Sequence, residues 1–425
     1  MNDASPVPEG TASRHGPGLR GRALWTMGTQ ALSSASNFLL SAVVLVVAPA
    51  RAFAVFSICL TTYLLILQFA RYVIGIPVLI GQAGGQQMPP GPAAEERDGA
   101  AGFAVLSGLA IAPALVLVAA IWPESAPQFL VLAAAMPFLL AQDVLRHVAI
   151  AVGRPQLAVA ADGTWVVLQV VGFAVAIAAG SGSPATLLAV WCAAGAVSAV
   201  GLGGLLHATP AITGSIAWLR RNAALCRRLA VEFVVNSGSY YALSYGLVIM
   251  AGAGELGDFR AAQTLFGPAS VLLLGGTALG VPESVRMHRD GSDLLRLSAR
   301  LSAALTVLSL VCGLGVYALL PIVGPELFPS WEAVRAVIPW LTLFGAAIGA
   351  GAGPVATLRA LGASRWLLDA RTLAACIVLV VGLPASAVLG ARGAFLALGI
   401  GECILAARAW RRVTRGIELP AAPKN

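Results

Sequence analysis

Charge is what this 425-residue chain has least of: charged side chains make up 11% of it, against 58% hydrophobic residues. So little charge cannot cover a soluble globule of that size, and a mean hydropathy of +0.84 points the same way. The signatures of soluble chemistry are missing too. There is no G-x-x-x-x-G-K-[ST] phosphate loop, no H-E-x-x-H helix and no paired-cysteine motif, so the sequence suggests no nucleotide-hydrolysing site, no metal and no cofactor. The six cysteines are scattered without metal-ligand spacing, five of them inside apolar segments, and read as packing residues. The four histidines, His15, His147, His207 and His288, lie far apart. Long polar connections on the expected outer side are also lacking, which argues against a membrane enzyme of glycan assembly, since catalytic groups would need such a loop.

What the chain does have is a succession of apolar runs of roughly 20 residues, each able to span a hydrocarbon core about 30 Å thick as a helix. The runs between polar breaks predict an all-α, polytopic membrane protein with twelve spanning helices, at 23–47, 53–80, 100–121, 128–151, 157–180, 185–207, 230–251, 259–282, 298–320, 333–355, 367–389 and 393–409. Residues 1–22 are polar, basic and contain Pro and Gly. They precede an apolar run too long for a signal peptide and are expected to be a disordered tail. The remaining division is an N-terminal bundle over 23–207, a basic linker over 208–229, a C-terminal bundle over 230–409 and a tail over 410–425.

Counting residues at span ends with the adjoining connection, twenty Lys and Arg residues fall on one side of this topology and four, Arg51, Arg260, Arg335 and Arg392, on the other; Arg71, Arg146 and Arg371 lie deeper in spans. The positive-inside rule then places both termini in the cytoplasm. Topology and anionic lipid headgroups account for the net charge of +8 and the pI near 9.6, so no nucleic-acid partner is implied. An internal repeat recurs at an offset of ~206 residues: Arg22 matches Arg228, Phe53 matches Phe259, and Thr26, Gln30 and Ser33 fall opposite Glu232, Asn236 and Ser239. With six spans per half, the repeats enter the membrane in the same sense.

Charged or titratable side chains within the spans are Arg71, Asp143, Arg146, His147, Asp162, Glu232, Arg371 and Glu402. Each is costly in hydrocarbon and requires a partner, a cavity or a ligand. Asp143, Arg146 and His147 share one helix face at i, i+3 and i+4. This fits either a self-neutralising Asp143–Arg146 pair with His147 packed beside it, or a substrate-binding group in which Asp143 positions Arg146 toward an anionic substrate while His147 or Asp143 carries a proton. Arg71 has Gln68 and Gly75 on its face, precedes the helix-weakening Pro77, and has no acidic residue within a turn. A partner must therefore come from another helix, and Arg71 is the preferred candidate for contacting a phosphate. Asp143, Asp162 and Glu232 are the candidates for coupling to a proton or sodium ion. Thr26, Gln30, Ser33, Asn37 and Ser41 form a polar stripe on the first helix, matched by Glu232, Asn236, Ser239 and Tyr240. Such stripes either glue helices together or line a solvated cavity.

The stretch Phe259-Arg260-Ala261-Ala262-Gln263-Thr264-Leu265-Phe266-Gly267-Pro268, with Gln142-Asp143-Val144-Leu145-Arg146, Gly153-Arg154-Pro155 and Ala391-Arg392-Gly393-Ala394, resembles bacterial polysaccharide and oligosaccharide flippases. These belong to the multidrug/oligosaccharidyl-lipid/polysaccharide (MOP) exporter superfamily, together with the multidrug and toxin extruders (MATE) and the lipid II flippases. The resemblance covers residues 22 to 412. It implies two six-helix bundles in a V around a central cavity, alternating access, and translocation of an undecaprenyl-pyrophosphate-linked glycan from the inner to the outer leaflet of the bacterial cytoplasmic membrane. Partners would be the lipid-linked glycan, membrane lipids and other polysaccharide-assembly proteins. Arg71, Arg146 and Arg371 would then meet the diphosphate, and Thr26, Gln30, Ser33, Asn37, Asn236 and Ser239 would supply hydroxyl and amide groups to the sugars. Two rivals stand beside this reading, a cation-coupled drug exporter of MATE type and the membrane enzyme already disfavoured.

Overall fold

The computed structural model describes residues 19–83, 90–210, 212–289 and 293–415, and those residues are helical apart from short turns. The N-terminal half comprises α1 (Leu19–Val47), α2 (Ala50–Ala70), a π-helical turn (Arg71–Gly75), α3 (Ile76–Ala83), α4 (Pro90–Ile121), α5 (Ala126–Ala151), α6 (Pro155–Ala178) and α7 (Pro184–Leu206). The C-terminal half comprises α8 (Ile212–Phe233), a second π-helical turn (Val234–Gly238), α9 (Ser239–Ala251), α10 (Ala253–Leu265), α11 (Gly267–Arg289), α12 (Leu294–Leu327), α13 (Trp331–Ala360), α14 (Ser364–Leu389) and α15 (Ala391–Thr414).

The repeat is visible in where helices stop and start. The pair α2–α3 runs from Ala50 to Ala83 and α10–α11 from Ala253 to Arg289; α4 ends at Ile121 and α12 at Leu327; α6 begins at Pro155 and α14 at Ser364. Within the first half α4 packs on α5, α5 on α7, and α1 on α6; within the second, α12 packs on α13, α13 on α15, and α9 on α14. The α12–α13 contact depends on small residues: a Cβ on Gly349 would lie 2.6 Å from the Thr306 amide, and one on Gly353 would collide with the Ser298 carbonyl. Close backbone approach of this kind drives helix association where no hydrophobic force acts between helices.

Among the described residues nine helices are long and apolar enough to cross a membrane, with Leu32–Val47 as a shorter apolar helix. The expected count of twelve spans is not confirmed among the described residues: the segment expected at 230–251 is weakened in hydropathy by Asn236, Ser237, Ser239, Tyr240 and Tyr241, and that expected at 259–282 breaks at Phe266 between α10 and α11. Two other boundaries also differ. Helix α1 begins at Leu19 inside the expected tail, and the basic stretch expected as a linker over 208–229 is largely the amphipathic helix α8. Its Trp218, Cys226, Leu229 and Phe233 are buried at helical spacing, and α8 packs on α4, where Trp218 donates to Glu96 at 2.5 Å. Residues 1–18 and 416–425 lie outside the described residues.

Besides α8, which packs on α4 and on the first π turn, the C-terminal half touches the N-terminal half through α10 against α2 and through α10 and α11 against α1. At the α2–α10 contact a Cβ on Gly257 would sit 3.2 Å from the Ala54 Cβ, so glycine lets the two halves meet. This contact lies toward the end of the molecule holding the α1–α2 and α9–α10 turns, opposite the arginine-rich connections, called the basic end below.

Candidate functional site

Proline explains how Arg71 is placed. Pro77 has no N–H, so the Val73 carbonyl four residues earlier loses its helical donor. The chain widens into a π turn there, with the Ile76 amide bonding to the Arg71 carbonyl. The thiol of Cys226, on α8, donates to the orphaned Val73 carbonyl at 3.2 Å. Gly75 lets α5 approach, because a Cβ would stand 3.1 Å from the His147 ring. Together these features hold the Arg71 guanidinium against α5.

There it meets Asp143. Arg71 Nε donates to Asp143 Oδ1 and Oδ2 at 3.0 and 3.1 Å, and its Nη2 donates to Oδ1 at 2.8 Å; its Nη1 donates to Gln68 Oε1 at 3.3 Å. Arg146 Nη2 also donates to Asp143 Oδ1 at 2.9 Å, and its Nη1 lies 3.5 Å from Asp162 Oδ2. Gln142 donates to Asp162 Oδ1 at 2.9 Å, and His147 Nδ1 donates to the Asp143 carbonyl at 2.7 Å. The result is a buried chain of alternating charge, Arg71, Asp143, Arg146, Asp162, in which two cations balance two anions. The partner that Arg71 requires from another helix is Asp143, and Asp143 serves Arg146 at the same time. Ser33 and Asn37 of the α1 stripe border this network around a cavity of about 10 Å³, room for about one water molecule. Ser36 ties the wall together, donating to Gln169 at 2.7 Å and accepting from Trp191 at 3.0 Å. The side chains of Thr26 and Gln30 lie outside the described residues.

The C-terminal half is more open. Asn236, Ser239 and Tyr240 of the second stripe line a chamber of about 290 Å³ together with Gln68, Arg371 and Glu402. Asn236 and Arg371 also border an adjoining vestibule of about 470 Å³ that holds Arg227, Arg228, Glu232, Arg359 and Arg365. The second π turn, Val234–Gly238, places Asn236 between the two spaces. Thus Arg371 and Glu402, far apart in sequence, share one chamber, while Arg71 and Arg146 do not line it; Gln68, which accepts from Arg71 Nη1, lies between Arg71 and that chamber.

A third space opens sideways. Between α1 and α10–α11 lies a largely apolar cleft of about 600 Å³, lined by Phe38, Leu60, Leu64, Val271 and Leu272 and by the polar Asn37, Ser41, Arg260 and Gln263. Phe38 and Leu272 are exposed on its rim. Arg260 is 8% exposed, donates from Nε to Thr61 Oγ1 at 2.9 Å and from Nη1 to Gln263 Oε1 at 3.1 Å, and its Nη2 has no hydrogen-bond partner among the described residues. Among the described residues no carboxylate forms an ion pair with it. Sequence reasoning missed this residue by placing it in a connection at the edge of a span. The signal was present, since Arg260 directly follows Phe259, the first residue of that expected helix.

No protein-family model and no curated protein sequence matches this chain. Solved structures do. An inward-facing MATE multidrug resistance transporter of the MOP superfamily superposes with a TM-score of 0.65 at 13% identity, covering 92% of this chain and 94% of that one. The lipid II flippase MurJ in an inward closed conformation gives 0.67 at 12% identity, covering 92% and 87%. A MOP superfamily transporter from Pyrococcus furiosus, described as having a binding pocket of reverse polarity, gives 0.56 at 14% identity, covering 92% and 94%. In fold, this chain is a multi-pass helical membrane protein of the type shared by the MATE transporters and the lipid II flippase of the MOP superfamily.

Proposed function

We propose that this protein is a flippase that carries a lipid-linked oligosaccharide, of the polyprenyl-diphosphate type, from the inner to the outer leaflet of the bacterial cytoplasmic membrane by alternating access. The observation that carries this reading is the lateral cleft: an apolar opening between α1 and α10–α11 whose lining includes a buried guanidinium with a free donor, Arg260 Nη2. A lipid phosphate presents the complementary chemistry, an apolar tail that stays in the bilayer and an anionic group that follows it inward. A cationic drug would gain nothing from Arg260. The acids expected to serve such a drug in the N-terminal half, Asp143 and Asp162, already face Arg146.

Energy would come from an ion gradient, with Asp143, Asp162 and Glu232 as the coupling candidates; Glu232, which lines the vestibule and forms no ion pair among the described residues, is the most available of them. A phosphate-contacting role for Arg71 and Arg146 requires their ion pairs with Asp143 to open during the cycle.

Reconstitution in proteoliposomes with a fluorescent polyprenyl-diphosphate oligosaccharide tests the reading. The wild type should move the label between leaflets, and Arg260→Gln should slow the initial rate at least tenfold without altering the melting profile. Export of an organic cation with no lipid movement would establish the drug-exporter rival instead.

A further inference from the structure

The arginines at the basic end converge on one space. Arg227 and Arg228 come from α8, Arg359 from the end of α13, and Arg365 and Arg371 from the start of α14, and all five line the same 470 Å³ vestibule with Glu232 as its single carboxylate. Topogenic arginines need only lie near a membrane surface; nothing in that rule brings residues some 140 positions apart to one cavity. Among the described residues none of the five forms an ion pair, whereas other arginines at this end do, as in Arg97 with Asp98 and Arg221 with Glu95 and Glu96. The first four are exposed and Arg371 is half-buried, so positive charge leads inward from the rim to the neck. At the neck, Asn236 and Arg371 are shared with the 290 Å³ chamber, which is lined by hydrogen-bonding groups suited to a sugar: Gln68, Ser239, Tyr240 and Glu402.

We infer that this C-terminal vestibule is the loading site for a diphosphate group, and that the adjoining chamber takes the sugar attached to it. The inference rests on the flippase reading for the source of the diphosphate, but not for the anion chemistry. It separates the loading site from the charge-balanced Arg71–Asp143–Arg146–Asp162 network, which has neither net charge nor volume to receive such a group. A diphosphate diester carries a negative charge on each phosphoryl group, and guanidinium forks bind such oxygens in pairs. Several arginines without carboxylate partners converging on one recess hold an anion better than the same charges spread over a surface.

The probe is inorganic pyrophosphate, titrated at fixed ionic strength against the full-length protein in detergent by calorimetry. The wild type should bind it; Arg365→Gln/Arg371→Gln should weaken Kd at least tenfold; and Arg412→Gln, an exposed arginine outside the vestibule, should leave Kd unchanged. The single Arg365→Gln variant, altered only at an exposed position, gives the same comparison if the double variant does not fold. No binding by the wild type, or equal weakening by Arg412→Gln, overturns the inference. Vesicles of phosphatidylglycerol separate the two sources of phosphate. If they displace pyrophosphate as well as polyprenyl diphosphate does, the vestibule is a general headgroup site and the inference falls. The two proposals fail differently. Pyrophosphate bound in the vestibule with no leaflet transfer sinks the flippase reading alone. Leaflet transfer with an unchanged KM in the double variant sinks the vestibule alone.

Discussion

Asp143 is the residue on which the N-terminal half turns. It accepts from two guanidinium groups on different elements, so its loss would leave Arg71 and Arg146 buried with unbalanced charge. Asp143→Asn should therefore cost about 3–5 kcal/mol, read as a lowered unfolding midpoint in detergent. Arg71→Ala should cost less, because Arg146 still pairs with Asp143, and the variant should insert normally while surface glycan output is lost; full output from that variant would remove Arg71 from the mechanism. The sequence identified the members of this network, since each is an ionisable group in an apolar run. It could not give their pairing. Whether Asp143 served Arg146 on its own helix or Arg71 on another depended on how far α5 approaches the π turn, and that distance is set by Gly75 facing His147. Arg260 went unrecognised because its position at a helix end looks the same in sequence whether the helix faces water or the other half of the molecule.

At the scale of elements, the π turn and α8 form one device. Pro77 frees the Val73 carbonyl, and Cys226 of α8 occupies it. Cys226→Val keeps the volume but removes the donor, and should destabilise the protein by about 1 kcal/mol, a buried carbonyl losing a modest hydrogen bond. In a Pro77→Ala background the new N–H can serve Val73, so the cost of Cys226→Val should fall by at least half. Equal cost in both backgrounds would show that the thiol acts through packing alone. Helix positions were legible in the sequence because apolar runs of spanning length leave few alternatives in lipid. The breaks at Arg71–Gly75, Val234–Gly238 and Phe266 were less so, since Gly and Pro mark where a helix weakens without saying whether it kinks, widens or ends. The second π turn contains no proline at all, and Asn236 takes its place between vestibule and chamber from that widening.

At the scale of the whole molecule, the two halves meet through Ala54 and Gly257, toward the end opposite the vestibule. The alternating access proposed above would, by opening the vestibule and the opposite side in turn, separate this contact. The Cβ positions of Ala54→Cys/Gly257→Cys would be about the separation a disulfide spans. Oxidation of the pair should stop transport, and reduction should restore it; unimpaired transport by the cross-linked protein would mean that the halves do not part there. The sequence by itself determined that the chain is helical and lies in a membrane, roughly where its helices run, and that its halves repeat, because burial of backbone polar groups in hydrocarbon admits few solutions and the spacing of apolar runs records which was taken. Only the tertiary structure decided which charges cancel and which stay free. In the N-terminal half Arg71 is neutralised by Asp143 on another helix, and Arg146 by Asp143 on its own helix and Asp162 on the next, while in the C-terminal half five arginines from three helices face one cavity with a single carboxylate among the described residues. That distinction depends on distances between side chains far apart in the chain, which packing sets and residue order does not.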